Sequence, residues 1–218
     1  TDNTARGSYL LGNTGSENWT AKAVGNWIIS FDKDGTMLTT NAGGEIKRQR
    51  SFSRYIRATG FLSDGLADIN YATGYPADSR PGGSEDIATS VGTFASSNFV
   101  WKMRYFVDGS YRLSGSSKFG ANKRYAPFWS LGAGWNAHNE SFFKNLKWVN
   151  TLRFHASYGY TGSVKFASYQ AVTTYRYTNE YLHYSGVGAI PYGMSNPDLT
   201  WQTTKKANIG FTSSFFGD

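Results

Sequence analysis

The sequence contains no cysteine, only three histidines and five prolines, and no long hydrophobic run. Without thiols the chain cannot build a disulfide scaffold, a thiolate metal site or a cysteine nucleophile. No window approaches the ~18 consecutive apolar residues that a membrane-spanning helix requires, and the mean hydropathy is −0.46. We therefore exclude a helical membrane protein and every cysteine-dependent function.

Acidic residues are also scarce, since 22 lysines and arginines face 15 aspartates and glutamates, for a net charge of +7. A nucleic-acid-binding protein would show a basic stripe on a recognisable module, and we find no such module. The densest basic cluster is Lys47, Arg48, Arg50, Arg54 and Arg57. It lies at a predicted strand end and loop, where it could attract lipopolysaccharide or an acidic solute, and the sequence leaves both open.

Aromatic residues and glycine are abundant, at 17% and 25 residues respectively. This enrichment favours an all-β fold. Three runs alternate strictly between an apolar and a polar face: residues 105–113, 128–138 and 152–160. A period of two with one apolar face is typical of half-buried antiparallel strands.

The apolar faces of these runs carry aromatic rings near their ends, as lipid-facing barrel strands do, and each run is about the ~9–11 residues that a tilted strand needs to cross a bilayer. A charge turned toward lipid costs ~2–4 kcal/mol at the midplane. We therefore predict that the polar face lines a lumen, with Asp108, Arg112, Arg153 and His155 on it. A soluble β-sandwich would alternate in the same way, so periodicity alone leaves both folds open.

Further strands are predicted at 19–31, 36–46, 88–100 and 207–215, with a small separate hairpin near 170–184. The turn Asp32-Lys33-Asp34-Gly35 joins the first two, and residues 51–62 could extend a strand beyond the membrane. Together these give about seven spanning strands. Because unpaired strand edges in lipid cost several kcal/mol per backbone group, we expect residues 1–218 to form part of one antiparallel transmembrane β-barrel domain that is larger than this chain.

Four motifs occur in order: RYFVDGSYRLSGSSKFG at 104–120, APFWSLGAGW at 126–135, LRFHASYGYTG at 152–162 and NPDLTW at 196–201. Together they resemble the C-terminal half of the barrel in SusC/RagA-type TonB-dependent outer-membrane transporters. The resemblance covers residues 88–218 well and residues 1–87 loosely. It implies a ~22-stranded barrel with a plugged lumen, whose plug domain and closing strands are absent from this chain.

The resemblance also implies a location and partners. The whole protein would lie in the outer membrane of a Gram-negative, Bacteroidetes-like bacterium, among outer-membrane lipid and lipopolysaccharide. It would import an oligosaccharide or peptide, driven by TonB through the missing N-terminal part, with a SusD-like surface lipoprotein closing its mouth. No enzymatic activity, cofactor or nucleic acid is implied.

Long loops and their aromatic residues are the predicted solute contacts, because an aromatic face stacks on sugar C–H surfaces while a phenol supplies hydrogen bonds. The candidates are Asp78, Arg80, Tyr175, Tyr177, Tyr181 and Trp201. The alternative interpretation is that these rings pack the loops or belong to an interfacial belt.

Catalytic and metal-binding patterns are missing. The histidines, at 138, 155 and 183, are far apart in sequence, and a metal site needs converging ligands. We expect no metal site and no enzyme. The alternative function is a soluble all-β carbohydrate-binding module, and a glycan-active enzyme is disfavoured because no acid pair is suitably placed.

Overall fold

A computed structural model describes residues 7–61, 63, 65, 68–76, 81–143, 148–183 and 186–216, with the backbone alone described for 178–183, 186 and 187. Over these residues the chain forms nine strands: β1 (Ser8–Ser30), β2 (Met37–Thr59), β3 (Gly82–Trp101), β4 (Tyr105–Ser116), β5 (Tyr125–Asn136), β6 (Val149–Ser163), β7 (Thr174–His183), β8 (Gly186–Gly193) and β9 (Gln202–Phe215). The helical elements among them are 3₁₀ turns at 69–71, 121–123, 137–139 and 141–143. No helix among these residues is long and apolar enough to cross a membrane.

Seven strands form one sheet in the order β1-β2-β3-β4-β5-β6-β9, and β7 and β8 form a separate two-stranded sheet. Neighbouring strands from β3 to β9 pair antiparallel. The prediction of an all-β antiparallel fold with about seven long strands is confirmed. The hairpin β7–β8 is an insertion that leaves β6 to pair with β9.

The chain divides into two compact units. The first consists of the residues up to Trp19 together with Arg48–Ala88, and the second of Thr20–Lys47 with Thr89 onward. The polar and aromatic faces of β4, β5, β6, β9 and of β3 from Thr89 onward belong to the second unit.

The first three strands are longer than the alternation predicted. β1 begins at Ser8 rather than Trp19, β2 continues through Thr59, and β3 begins at Gly82. The predicted extension of a strand over 51–62 is therefore largely correct. The added segments have little apolar alternation because both of their faces are polar, so the sequence pattern is weakest there.

Two other expectations were wrong in detail. β5 ends at Asn136, and His138 lies in a 3₁₀ turn, where its Nδ1 is 3.0 Å from the carbonyl oxygen of Leu152. His138, the last residue of the predicted run 128–138, is therefore not part of the strand. The small hairpin exists, but its strands are Thr174–His183 and Gly186–Gly193 rather than lying within 170–184.

Among the side chains that the structure describes, few are buried and many large apolar ones are exposed. The buried apolar residues are Ala58, Phe61, Phe106, Phe119, Phe128, Ala137 and Ala171. By contrast Ile209 is 91% exposed, Phe211 69% and Leu131 58%. A water-soluble sheet would cover such residues, since burial of a large apolar side chain contributes ~1.5–3 kcal/mol. Large exposed apolar surfaces mark contact with a membrane or a partner.

Candidate solute-contact surfaces

One face of the second unit carries a continuous row of aromatic rings. The strand register places Trp101 beside Tyr105, then Trp135, Phe154 and Phe211 on the following strands. Successive ring centroids lie 5.6, 6.5, 6.0 and 6.5 Å apart. Period-two alternation gives all five the same face. An aromatic row bordering exposed aliphatic residues is the pattern of an interfacial girdle.

A second group of rings lies on the same face about six residues along the strands. Tyr111 pairs with Trp129, and Trp129 pairs with Tyr160. The Trp129 and Tyr160 centroids are 5.8 Å apart. Six residues at ~3.4 Å each separate the two aromatic groups by ~20 Å along a strand. Leu131, Ala133 and Ile209 lie between them, so the face has an apolar band with an aromatic border at each end.

The opposite face is polar and internally hydrogen-bonded. Asn98 Nδ2 donates to Asp108 Oδ1, and the Ser110 and Ser130 hydroxyls lie 2.7 Å apart. Arg112 forms an ion pair with Glu45 and donates to Ser114 Oγ at 2.8 Å. The four predicted lumen residues all lie on this face of the sheet. That the face encloses a lumen stays a prediction.

Three of those four residues come together around one cleft. A cleft of about 340 Å³ is lined by Asp108, Arg153, His155 and Thr212, with Phe106 at one side. The Arg153 guanidinium carbon lies 4.1 Å from the centre of the Phe106 ring. An acid, a guanidinium and an imidazole thus share a recess with an aromatic wall, which suits a polar solute bearing hydroxyl or amide groups. Arg112 is not part of this cleft, because Glu45 and Ser114 hold it further along the strand.

The connection between β5 and β6 is held by a buried carboxylate. Glu140 accepts hydrogen bonds from the Tyr105 hydroxyl at 2.8 Å and from Trp135 Nε1 at 3.2 Å, and it forms an ion pair with Arg104 at 3.2 Å. The hydrogen bond from Tyr105, followed by those from Trp135 and the charge of Arg104, lowers the pKa of Glu140. The polar ends of two rings in the aromatic row are therefore fixed to one residue.

Trp201, a predicted solute contact, lies in an aromatic cluster. Its ring stacks on Phe119 with centroids 4.4 Å apart and contacts Phe128 edge-on at 5.3 Å. Phe119 is 1% exposed and also contacts Phe166. Trp201 Nε1 is buried and has no hydrogen-bond partner among the described atoms. These contacts favour the alternative interpretation in which Trp201 packs two loops together.

Two other predicted solute contacts lie on the hairpin β7–β8 and are exposed. Tyr175 is 64% exposed and Tyr177 78% exposed, and both lie on one face of β7. Tyr192 on β8 is 75% exposed. Of the remaining candidates, Asp78 and Arg80 lie outside the described residues, and the Tyr181 side chain does as well. Only the two neighbouring tyrosines of β7 are thus placed together, and their contact with a solute stays a prediction.

No group of three or more histidine, cysteine, aspartate or glutamate side chains within the described part of the chain is arranged to hold a metal ion. No family profile matches the sequence.

Comparison with curated sequences finds TonB-dependent receptors. The chain is 29% identical over 192 residues to TonB-dependent receptor P39 of Formosa agariphila, which covers 88% of this chain and 18% of that protein. It is 29% identical over 133 residues to TonB-dependent receptor SusC of Bacteroides thetaiotaomicron, covering 58% of this chain and 13% of SusC. The chain thus spans less than a fifth of the length of these relatives.

Solved structures agree in fold. The structure of the RagAB peptide transporter superposes with a TM-score of 0.80 at 26% identity, over 96% of this chain and 23% of that chain. The RagAB peptide importer in its open-open state gives 0.79 at 26% identity, over 96% of this chain and 22% of that chain. The chain is thus similar in sequence to TonB-dependent receptors and similar in fold to the RagAB peptide transporter. The relatives named here are receptors and transporters, and none of them is an enzyme.

Two glutamates on these surfaces could not be singled out from the sequence. Glu45 is the ion-pair partner of Arg112 from 67 residues away, and Glu140 joins Arg104, Tyr105 and Trp135. No local pattern distinguishes either glutamate from a solvated loop or strand acid. Tyr192 had a signal, because it belongs to the same tyrosine-rich insertion as Tyr175.

Proposed function

We propose that the protein containing this chain imports a glycan or peptide across the outer membrane in a TonB-dependent manner. In this proposal a SusD-like surface lipoprotein closes the extracellular mouth, and TonB contacts a part of the protein outside these residues. The chain contributes wall strands and loops, and carries out no chemical reaction on the solute.

The two faces of the sheet carry this proposal. Exposed Leu131, Phe211 and Ile209 on one face would contact lipid, while Asp108, Arg153 and His155 on the other would contact water and solute. Lipid-facing and lumen-facing residues alternate in this way along barrel strands. The similarity to TonB-dependent receptors and to the RagAB peptide transporter supports the same assignment.

The soluble carbohydrate-binding module is not favoured. A soluble sheet would leave Ile209 at 91% exposure and Phe211 at 69% in contact with water. The relatives named above offer no support for such a module either.

A deletion strain tests the import proposal. The gene for the full-length protein is deleted from the source bacterium, and depletion of oligosaccharide and peptide mixtures from the medium is followed by mass spectrometry. We expect loss of uptake of one solute class, restoration by the wild-type gene, and collapse of uptake when the proton gradient is removed by an uncoupler. Uptake that is unchanged by deletion for every solute offered would contradict the proposal.

Within the complemented strain, the double variant Tyr175→Ala/Tyr177→Ala tests the hairpin. Loss of two aromatic faces should weaken uptake at low solute concentration about 5-fold or more, since each stacked ring contributes ~0.5–1.5 kcal/mol. Tyr71→Ala is the control, because Tyr71 is also an exposed tyrosine, at 47%, and lies in a different connection. If the two variants weakened uptake equally, the hairpin would not be a solute-contact surface.

A further inference from the structure

The first compact unit has a basic and aromatic face that the import proposal does not use. On β2, the guanidinium carbons of Arg50 and Arg54 lie 5.4 and 5.3 Å from the centre of the Phe52 ring. Side chains alternate along a strand, so these three share one face. A guanidinium at this distance from an aromatic ring is held by a cation–π interaction.

The two arginines differ in their charge partners. Arg50 forms ion pairs with Glu85 and, at 3.2 Å, with Glu17. Arg54 is exposed, and no carboxylate within the described ranges forms an ion pair with it. Arg54 therefore presents an uncompensated positive charge beside a neutralised one.

Arg54 lines a groove of about 480 Å³ that crosses three strands. Leu11 and Asn13 of β1, Ile56 of β2, and Pro81 with Gly83 line it as well. A methyl group at Gly83 would lie 2.8 Å from the carbonyl oxygen of Ser53 and 3.3 Å from Arg54 Cγ. Glycine at position 83 thus keeps this part of the groove open and lets the Arg54 side chain lie across it.

The groove combines one cation, one amide and the phenol of Tyr55 with apolar walls. Such a lining fits an anionic group attached to an apolar body. Leu11, Phe52 and Ile56 lie on the groove face, whereas the other face of the same strands carries the Thr14 and Ser53 hydroxyls, 3.2 Å apart. In a barrel the face with the larger apolar side chains is the lipid side.

Strand length indicates where this face lies. β1 and β2 have 23 residues each, roughly twice the ~9–11 that cross a bilayer, so part of each extends beyond the hydrocarbon. A guanidinium is well suited to phosphate because its planar donors form paired hydrogen bonds. We propose that the Arg54 groove binds the phosphate group of a lipopolysaccharide-type glycolipid. The proposal rests on the outer-membrane location in the proposed function.

Lipid binding by the full-length protein tests this. The protein is reconstituted in phosphatidylcholine nanodiscs with added diphosphorylated lipid A, and bound lipid A is measured by native mass spectrometry. Arg54→Gln should weaken binding about 5- to 10-fold, equivalent to ~1–1.4 kcal/mol. Arg57→Gln removes the same charge from the opposite face of β2 and should change binding less than 2-fold.

Two further measurements test whether binding depends on the phosphate group and on the guanidinium of Arg54. Dephosphorylated lipid A should bind the wild-type protein as weakly as diphosphorylated lipid A binds Arg54→Gln. Arg54→Lys should give an intermediate affinity, because it keeps the charge without the paired donors. A heat-dependent gel shift of each folded barrel shows that the variants fold.

The glycolipid site is overturned if Arg54→Gln and Arg57→Gln weaken binding equally, because net charge alone would then be responsible. It is also overturned if removing the phosphates has no effect, or if Arg54 governs binding of soluble digalacturonate instead of lipid A. Uptake by the deletion strain complemented with wild type decides the import proposal separately. Normal binding of lipid A by the Arg54→Gln protein would overturn the glycolipid site and would not bear on the import proposal.

Discussion

The indole of Trp201 stacks on the ring of Phe119 with centroids 4.4 Å apart and planes 27° apart. This contact joins the connection after β4 to the connection before β9. Gly120 N–H donates to the Leu199 carbonyl at 3.0 Å, and Asn122 N–H donates to the Pro197 carbonyl at 3.2 Å. The NPDLTW motif therefore acts as a loop clamp, in which the backbone of residues 197–199 and the ring of Trp201 hold the same neighbouring loop.

Phe119→Ala should destabilise this loop clamp. Phe119 is 1% exposed, and removal of a buried phenylalanine ring typically costs ~3–5 kcal/mol through lost burial and a remaining cavity. We expect faster protease cleavage of both connections in the full-length protein and a lower unfolding temperature. Phe142→Ala is the control, since Phe142 is 61% exposed, and equal protease sensitivity of the two variants would contradict a clamp.

Gly120→Ala tests the backbone half of the same clamp. An added methyl group would lie 1.9 Å from the Pro197 carbonyl oxygen, whereas at Gly74 it would meet nothing within 4 Å. The Gly120 φ of −60° suits alanine, so the effect would come from the collision alone. We expect Gly120→Ala to separate the two loops and raise amide hydrogen exchange near Leu199, and Gly74→Ala to leave that exchange unchanged.

Ile209→Lys tests which face meets lipid. Ile209 is 91% exposed, so in water the change would alter stability by less than ~0.5 kcal/mol. In a bilayer a lysine near the midplane costs ~2–4 kcal/mol. We expect the folded fraction of the full-length protein in lipid vesicles to fall steeply. Asn208→Lys on the other face should have little effect. If Asn208→Lys lowered the folded fraction more than Ile209→Lys did, the assignment of the two faces would be wrong.

Lowering the pH should loosen the connection between β5 and β6. The pKa of Glu140 lies below its ordinary value of 4.5, first because Tyr105 donates a hydrogen bond to the carboxylate. The carboxylate thus stabilises the fold above pH 4.5, and this contribution is lost as the pH falls through the lowered pKa. Hydrogen exchange at residues 139–143 should accelerate there, and Glu140→Gln should abolish that acid-dependent step. Acceleration that persists in Glu140→Gln would point to another acid.

Much of the sheet could be predicted because covalent geometry imposes the side-chain period. Alternation placed Tyr105 and Asp108 on opposite faces, and β4 confirms it. Strand ends were less accurate, as at Ser8 and Thr59, because polar residues on both faces remove the pattern. Turn chemistry was informative at Asp32-Lys33-Asp34-Gly35, where Asp32 Oδ1 accepts from the Asp34 and Thr36 amides at 3.0 and 2.8 Å.

The turn after β3 shows why local sequence is insufficient. Lys102 and Met103 have φ of 49° and 56°, a backbone conformation that favours glycine. The conformation is held by distant residues: the side chains of Asn136 and Asn139 donate to the Met103 carbonyl at 2.9 and 2.7 Å. The place of this turn follows from the sequence, but no dipeptide rule predicts a positive φ at two consecutive residues other than glycine.

By itself the sequence determined the strand periodicity, the polar and apolar faces and the family resemblance, because these depend on residue order and on the geometry of an extended chain. Only the tertiary structure decided which residues meet across long separations. It paired β6 with β9 around the β7–β8 insertion, Arg112 with Glu45, and Trp201 with Phe119. Such contacts depend on strand order and loop packing. Several strand pairings are compatible with the same alternation, and only the packing of the whole sheet determines which of them forms.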